Sequence, residues 1–255
     1  MEYYLEHFKG DEVFCRQIMD IKERVEDQYI SQVTSFLDPH QQEIVASLIG
    51  KHQGVSVKFD GGFDNAEMKR AVIYPSVFEI DPEEFEVSVL SVRYPGKFVS
   101  ISHRDVLGAL MNLGLKRELY GDIIVDDQYA YFACDSKMED YLMQNLTMVG
   151  RGSVKVSKIN ERLERKQDYK KIQVSVASFR LDLILAEAFN LSRSEASKYI
   201  NGNFVKVNYK EVVQTNYLCH NMDIISLRRH GRIKLIDLNK INRKQKHVIE
   251  VWFYK

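Results

Sequence analysis

Leu191-Ser192-Arg193-Ser194-Glu195-Ala196, continuing through Ser197-Lys198-Tyr199-Ile200-Asn201-Gly202-Asn203-Phe204-Val205-Lys206-Val207-Asn208, compresses a helix and a strand into one short stretch. Ser192 and Glu195 stand at capping-box spacing, in which each side chain satisfies the backbone N–H of the other residue, so a helix is predicted to open here. Ala196, Tyr199 and Ile200 fall on one arc of that helix, and Arg193, Ser194, Ser197 and Lys198 on the other. Gly202 lies just past its end, where a C-terminal cap belongs. Phe204 to Asn208 then alternates as a strand and turns over Asn208 to Lys210.

The pattern continues on both sides. Upstream, Ser178-Phe179-Arg180-Leu181-Asp182 reads as another helix start, with Ser178 as cap and Leu181, Ile184, Leu185 and Ala188 as the buried stripe, broken at Asn190-Leu191. Downstream, Asp223 to Leu227 is a strand running into Arg228-Arg229-His230-Gly231-Arg232. Asn239 to Lys246 has four basic residues (Lys240, Arg243, Lys244 and Lys246), reads as an extension of the basic surface, and precedes a last strand, His247 to Tyr254.

Charge sets this region apart. The 255-residue chain carries 36 Lys+Arg and 36 Asp+Glu, but residues 1–150 hold 14 basic against 26 acidic residues (−12), and residues 151–255 hold 22 against 10 (+12). A swing of that size points to an acidic scaffold carrying a module for a polyanion. A hydrophobic fraction of 45% with 28% charged residues is that of a soluble globular protein. No apolar run approaches the ~18 residues of a membrane span, and the acidic start Met1-Glu2-Tyr3-Tyr4-Leu5-Glu6 does not read as a signal peptide. Cys15, Cys134 and Cys219 are odd in number and dispersed, which fits reduced thiols in the cytoplasm. The histidines His7, His40, His52, His103, His220, His230 and His247 show no ligand spacing, and no phosphate-cradling glycine loop is present. Neither a metal nor a cofactor is expected.

Residues 1–80 read as a mostly helical subdomain. Phe14, Ile18, Ile21 and Val25 share a helix face; Asp38-Pro39 caps a helix through Gln41 to Ile49; Val55 to Phe59 and Ala71 to Tyr74 are short strands. Residues 81–159 give a strand (Glu86 to Val92), a helix (His103 to Leu113), two strands (Asp122 to Asp126 and Tyr129 to Cys134, across an Asp126-Asp127 turn), a helix (Ser136 to Leu146, capped by Ser136) and a strand (Val154 to Val156). That βαββαβ order is ferredoxin-like, the topology of RNA-recognition domains and of much else. Tyr129 and Tyr131 lie in its third strand without the glycine pattern of an RNA-stacking strand, and read as core or surface filler. Residues 160–171 form a charged linker or short exposed helix, and residues 172–255 a second compact unit with a basic tail. The fold class is α+β.

Arg180-Leu181-Asp182, then Leu191 to Ala196, then Ile200 to Asn208, resembles the S4-type RNA-binding domain, a helix pair on a small curled sheet. The resemblance implies RNA contacts from Arg180, Arg193, Ser194, Lys198, Lys206, Asn208, Arg228 and Arg232, with Arg229 and Lys234 adding to the basic set. Arg presents a planar fork to phosphate, Lys a mobile charge, and a helix end near Ser192 adds unpaired N–H groups. The family has Gly where this chain has Met222 and Arg229, so side chains stand at turn positions suited to φ > 0.

The rest of the chain adds to this. Phe36-Leu37-Asp38-Pro39, Gly61-Gly62-Phe63 with Glu67, Lys69 and Arg70, and His103 to Met111 through Lys116-Arg117 and Gly121-Asp122-Ile123, resemble the YlmH family of bacterial S4-domain proteins. That resemblance implies a cytoplasmic, non-enzymatic factor that binds ribosomal RNA and tRNA, associates with the large ribosomal subunit and peptidyl-tRNA, and serves ribosome-associated quality control. Arg104, Lys116 and Arg117 become candidate second contacts, and Met68 stands where a basic residue is expected. Two alternatives stay open. One is a pseudouridine synthase-like enzyme, in which an Arg-Leu-Asp triplet such as Arg180-Leu181-Asp182 carries a nucleophilic aspartate. The triplet here continues into a helix and has no Thr-Ser-Gly turn after it to expose the carboxylate. The other is an adaptor linked to cell division, with a protein partner on the acidic N-terminal region.

Overall fold

The computed structural model describes residues 8–50, 54–95, 100–126 and 128–254. The chain divides into two compact units, Met1–Arg165 and Lys166–Lys255. His7, His52 and Asp127 lie outside the described residues.

The first unit opens with helix α1 (Glu12–Gln28), which buries Cys15, Ile18 and Val25 against α2 (Pro39–Ile49). Asp38 and Gln41 complete the capping box of α2: the Asp38 carboxylate accepts from Gln41 N at 2.9 Å. A three-stranded antiparallel sheet, β1 (Gln32–Val33), β3 (Arg70–Pro75) and β2 (Val55–Asp60) in that order, lies beside them. Beyond it come β4 (Val87–Arg93), α3 (His103–Asn112), β5 (Tyr120–Val125), β6 (Tyr129–Asp135), α4 (Glu139–Asn145), a small hairpin of β7 (Met148–Val149) and β8 (Gly152–Ser153), and β9 (Lys155–Ile159). The sheet order β5-β6-β4-β9 is the antiparallel arrangement expected of a ferredoxin-like βαββαβ fold.

One detail of the first unit differs from the sequence reading. Ser136 does not cap a helix: residues Ser136–Met138 form a 3-10 turn capped by Asp135, whose carboxylate accepts from Lys137 N at 3.0 Å. Glu139, three residues on from Ser136 at capping-box spacing, instead accepts from Ser88 Oγ at 2.6 Å and Lys158 Nζ at 2.8 Å. Residues 160–171 hold no helix. Leu163 O and Arg165 N bond to Asp64 at 2.9 Å each, Arg162 reaches Asp60 and Asp64 at 2.9 and 2.7 Å, and Arg165 reaches Glu67 and Asp122 at 3.1 and 3.5 Å. The stretch is thus pinned to the turn around Gly61, and the next strand begins at Tyr169.

The two faces of the β5-β6-β4-β9 sheet have different covers. One packs Leu90, Val92, Ala130, Phe132 and Val156 under α3 and α4. On the other, Val89 and Ala133 are buried beneath Phe36, Phe63 and Ala66. Gly121 makes room for this: a Cβ there would sit 2.7 Å from the Phe36 ring. Nearby, buried Arg70 donates to the carbonyls of Thr34 (2.6 Å) and Glu86 (2.7 Å) and pairs with Asp135 (3.3 Å).

The second unit is a six-stranded antiparallel sheet with a helix pair on one face. Its order is β10 (Tyr169–Val176), β15 (His247–Tyr254), β14 (Gly231–Ile241), β13 (Ile224–Leu227), β11 (Val205–Val207) and β12 (Lys210–Glu211). Helices α5 (Leu181–Phe189) and α6 (Arg193–Asn201) bury Leu181, Ile184, Leu185, Ala196 and Ile200 against Val205, Ile225, Leu227, Ile233, Leu235, Ile249 and Val251. Ser178 does not cap α5. Arg180 occupies the cap position without a capping side chain, and the carbonyls of Tyr217 and Thr215 accept from Leu181 N (2.8 Å) and Asp182 N (3.2 Å). The last strand forms over the expected residues, His247 to Tyr254. β14 runs on to Ile241 past a bulge between Asp237 and Lys240, and β15 inserts between β10 and β14 as a central strand. The cysteines are buried, and burial pushes the Cys134 and Cys219 thiols up to about 12. Among the described residues no helix is long and apolar enough to cross a membrane, and no group of three His, Cys, Asp or Glu is placed to hold a metal.

Candidate nucleic-acid interface

The ten candidate RNA-facing residues fall on different surfaces of the second unit. Arg193, Ser194 and Lys198 are exposed along α6. Ser192 caps that helix, accepting from Glu195 N at 3.2 Å, while Glu195 accepts from Ser192 N and Oγ at 2.9 and 2.6 Å. The two Ser192 bonds hold the Glu195 carboxyl below its ordinary range. The helix end expected to offer open N–H groups to an anion therefore already carries its own carboxylate, and the cationic side chains are left as the source of positive potential.

Asp182 organises the arginines. Its carboxylate is buried (side chain 3% exposed) and accepts from Arg180 Nε and Nη2 at 3.0 and 3.1 Å and from Arg193 Nη2 at 2.8 Å. Burial alone would raise its pKa, but the hydrogen bonds from Arg180 and Arg193 outweigh burial and hold it below the usual carboxylate range. Arg180 is raised in turn by its bond to Asp182. This is the geometry of an ion-paired anchor, with the carboxylate enclosed by the chain's own guanidiniums. Arg193 remains 63% exposed and Arg180 38%, so Arg193 is the member of the pair with more surface to offer.

At the far end of α6 an aromatic corner holds the β13–β14 loop. Tyr199 lies 5.1 Å from the His230 ring, His230 6.0 Å from Phe189, and the Arg228 guanidinium 5.6 Å from the Phe204 ring. Gly202, with φ −87°, is not a left-handed cap; Asn203 takes that role at φ 61°. Gly202 is needed for space, since a Cβ there would come 2.8 Å from the Phe204 ring. Met222 and Arg229 have φ 74° and 71°, so both do occupy left-handed positions where the resemblance places Gly. Arg228 and Arg229 are exposed at the loop.

Asn208 is committed elsewhere. It sits with Tyr209 in a two-residue hairpin turn (φ 47° and 69°), where its amide donates to Asp223 at 2.8 Å and accepts from Ile224 N at 2.9 Å. Lys206, Arg232 and Lys234 alternate with core residues of β11 and β14, so they lie on the sheet face opposite the helices. They are therefore separated from Arg193, with which the sequence motif groups them. The same face carries Lys171, Tyr169, Trp252 and Tyr254, which the motif does not mark, although the alternation in Tyr169 to Val176 and His247 to Tyr254 is a signal that could reveal them.

In the first unit, Arg104 is exposed on the first turn of α3, while Lys116 and Arg117 follow its other end. Lys116 pairs with Glu118 at 3.9 Å, and Arg117 lies over the Tyr120 ring at 4.8 Å. These three do not form one cluster. Tyr129 and Tyr131 stack at 5.9 Å, with Tyr131 packed beside the Phe36–Phe63 layer.

Three family models match in order: "YlmH, N-terminal" over residues 11–78, "Putative RNA-binding domain in YlmH" over 81–162, and "S4 domain" over 179–225. The chain is 34% identical over 250 residues to the Ribosome-associated protein quality control protein P2 of Bacillus subtilis, covering 94% of this chain and 95% of that one. A solved structure, the cell division protein ylmH from Streptococcus pneumoniae, superposes with a TM-score of 0.52 at 30% identity, covering 59% of this chain and 92% of that one. With its segments matched in order and a relative aligned almost end to end, the chain belongs to the YlmH family of S4-domain RNA-binding proteins.

Proposed function

We propose that this protein binds folded ribosomal RNA and tRNA on the large ribosomal subunit, in the cytoplasm, as a non-enzymatic ribosome-associated quality-control factor. The observation that carries this reading is the basic ridge along α6, from Arg193 through Lys198 to the Arg228-Arg229 loop at its other end. Nine residues at ~1.5 Å per residue make this a ridge of roughly 13 Å. Such a ridge fits successive phosphates of a folded RNA backbone, which is recognised by shape and charge more than by base sequence. The named Bacillus relative supports the ribosomal setting.

Sedimentation of cell lysate through a sucrose gradient tests this. Wild type is expected to migrate with large subunits, and added salt to release it. A variant with Arg193→Glu, Lys198→Glu and Arg228→Glu is expected at the top of the gradient with its circular dichroism unchanged. If wild type also stays at the top, the ribosomal reading fails, and the adaptor and enzyme alternatives take its place.

A further inference from the structure

We infer that the outer face of the second unit's sheet, turned away from α5 and α6, is a second RNA site that takes an unpaired segment by base stacking. The inference rests on the reading that this chain binds RNA, and it assigns a different surface to a different RNA element. Strand register places Trp252 between two lysines, Lys171 on β10 and Lys234 on β14, and places Tyr169 opposite Tyr254. Lys171 Nζ stands 3.9 Å from the centre of the Trp252 ring, and the Arg232 guanidinium 4.1 Å from that of Tyr254. Tyr169 lies 5.2 Å from Trp252 and 5.0 Å from Tyr254, so three rings form one contiguous surface. The indole N–H donates to Glu250 at 2.6 Å, which fixes the plane of Trp252.

Strands favour aromatics for their own packing. Here, however, the rings stay partly exposed on the face turned away from α5 and α6, and cations flank them on both sides. Flat rings beside mobile cations are what a single-stranded nucleic acid uses: each base stacks on a ring while its phosphate meets a lysine or arginine. The +12 balance of residues 151–255 draws in the phosphates. Glu250 repels a phosphate at its own end of the face, so the path runs from Trp252 toward Tyr254 and Arg232, with Lys206 further along the sheet on β11. Lys171, on a flexible stem, moves from the ring to a phosphate as a base takes its place.

Trp252 is the chain's single tryptophan, so fluorescence excited at the red edge of the indole band, where the tyrosines do not absorb, reports on this face. Titration with oligouridylate of about ten nucleotides, inside the ~4–16 range of stacking grooves, is expected to quench it saturably. The double variant Tyr169→Leu, Lys171→Ala is expected to weaken that binding about tenfold while a folded RNA hairpin binds as before. Arg193→Ala with Lys198→Ala is expected to do the reverse. No quenching, in a protein that still binds the hairpin, overturns the second site and leaves the proposed function standing. Equal quenching by polyglutamate overturns it in favour of an acidic peptide. Quenching by oligouridylate with no hairpin binding upholds the second site and removes the α6 ridge.

Discussion

Each unit has a β-sheet with helices on one face, and the two differ in what covers the other. In the ferredoxin-like sheet, Phe36 and Phe63 plug the open face over Val89 and Ala133. In the C-terminal sheet the equivalent face carries Trp252, Tyr169 and Tyr254 among Lys171, Arg232 and Lys234. The sheet whose topology suggests RNA recognition uses that face for its own core, whereas the other keeps its aromatics partly exposed beside cations. Topology therefore does not say which sheet face is left open to a partner, and side-chain alternation read in register says more.

The sharpest way to break this contrast is to remove one ring from each face. Phe63 is 1% exposed, and Phe63→Ala is expected to cost about 3–5 kcal/mol in urea unfolding. Trp252→Leu is expected to cost less than about 1 kcal/mol. Equal costs would mean that the C-terminal face is also a core.

Asp182→Asn comes next, with an expected loss of about 2–3 kcal/mol as Arg180 and Arg193 lose a buried partner. The folded pKa of Asp182 is depressed, so its contribution is present above the unfolded value of ~3.9 and is lost as pH falls through the folded pKa. Stability of the variant should accordingly vary less with pH below about 4 than that of wild type. Parallel acid-unfolding curves would refute the anchor.

A smaller effect concerns the ridge. Arg193→Ala with Lys198→Ala is expected to lower the log–log salt slope of hairpin RNA binding by about 1.4–1.8, or ~0.7–0.9 for each phosphate no longer neutralised. An unchanged slope would place the phosphates elsewhere. The smallest is Arg229→Gly, which relieves a side chain at φ 71° and is expected to stabilise the fold by about 0.5–1 kcal/mol. If thermal unfolding shows a loss, the loop is held by interactions of Arg229 itself.

Much of the local structure is legible in the sequence. The Ser192–Glu195 box and the Asp38 cap form where the sequence places them, because a cap needs only residues a few positions apart. The strained positions Met222 and Arg229 are readable through the resemblance, which places Gly there, since the demand for φ > 0 belongs to the turn and not to distant neighbours. Ser136 and Ser178 look like caps in the sequence and are not, because nearby groups compete for the same role. Asp135 caps the first, and the Thr215 and Tyr217 carbonyls serve the second. Asn208 reads as an open donor because its acceptor, Asp223, lies beyond the hairpin, 15 residues along the chain.

By itself the sequence determined the α+β class, the βαββαβ order of residues 81–159, the charge division and the two helices of the C-terminal unit, all set by periodicity, capping and composition within short windows; strands β10 and β14 were not read from it. Only the tertiary structure decided that β15 enters the sheet between β10 and β14, that Phe36 and Phe63 close one sheet face, and that Arg193 and Lys234 point to opposite sides of their unit. Strand order and face coverage depend on interactions between residues far apart in the chain, and no local pattern encodes which distant segment will supply the cover.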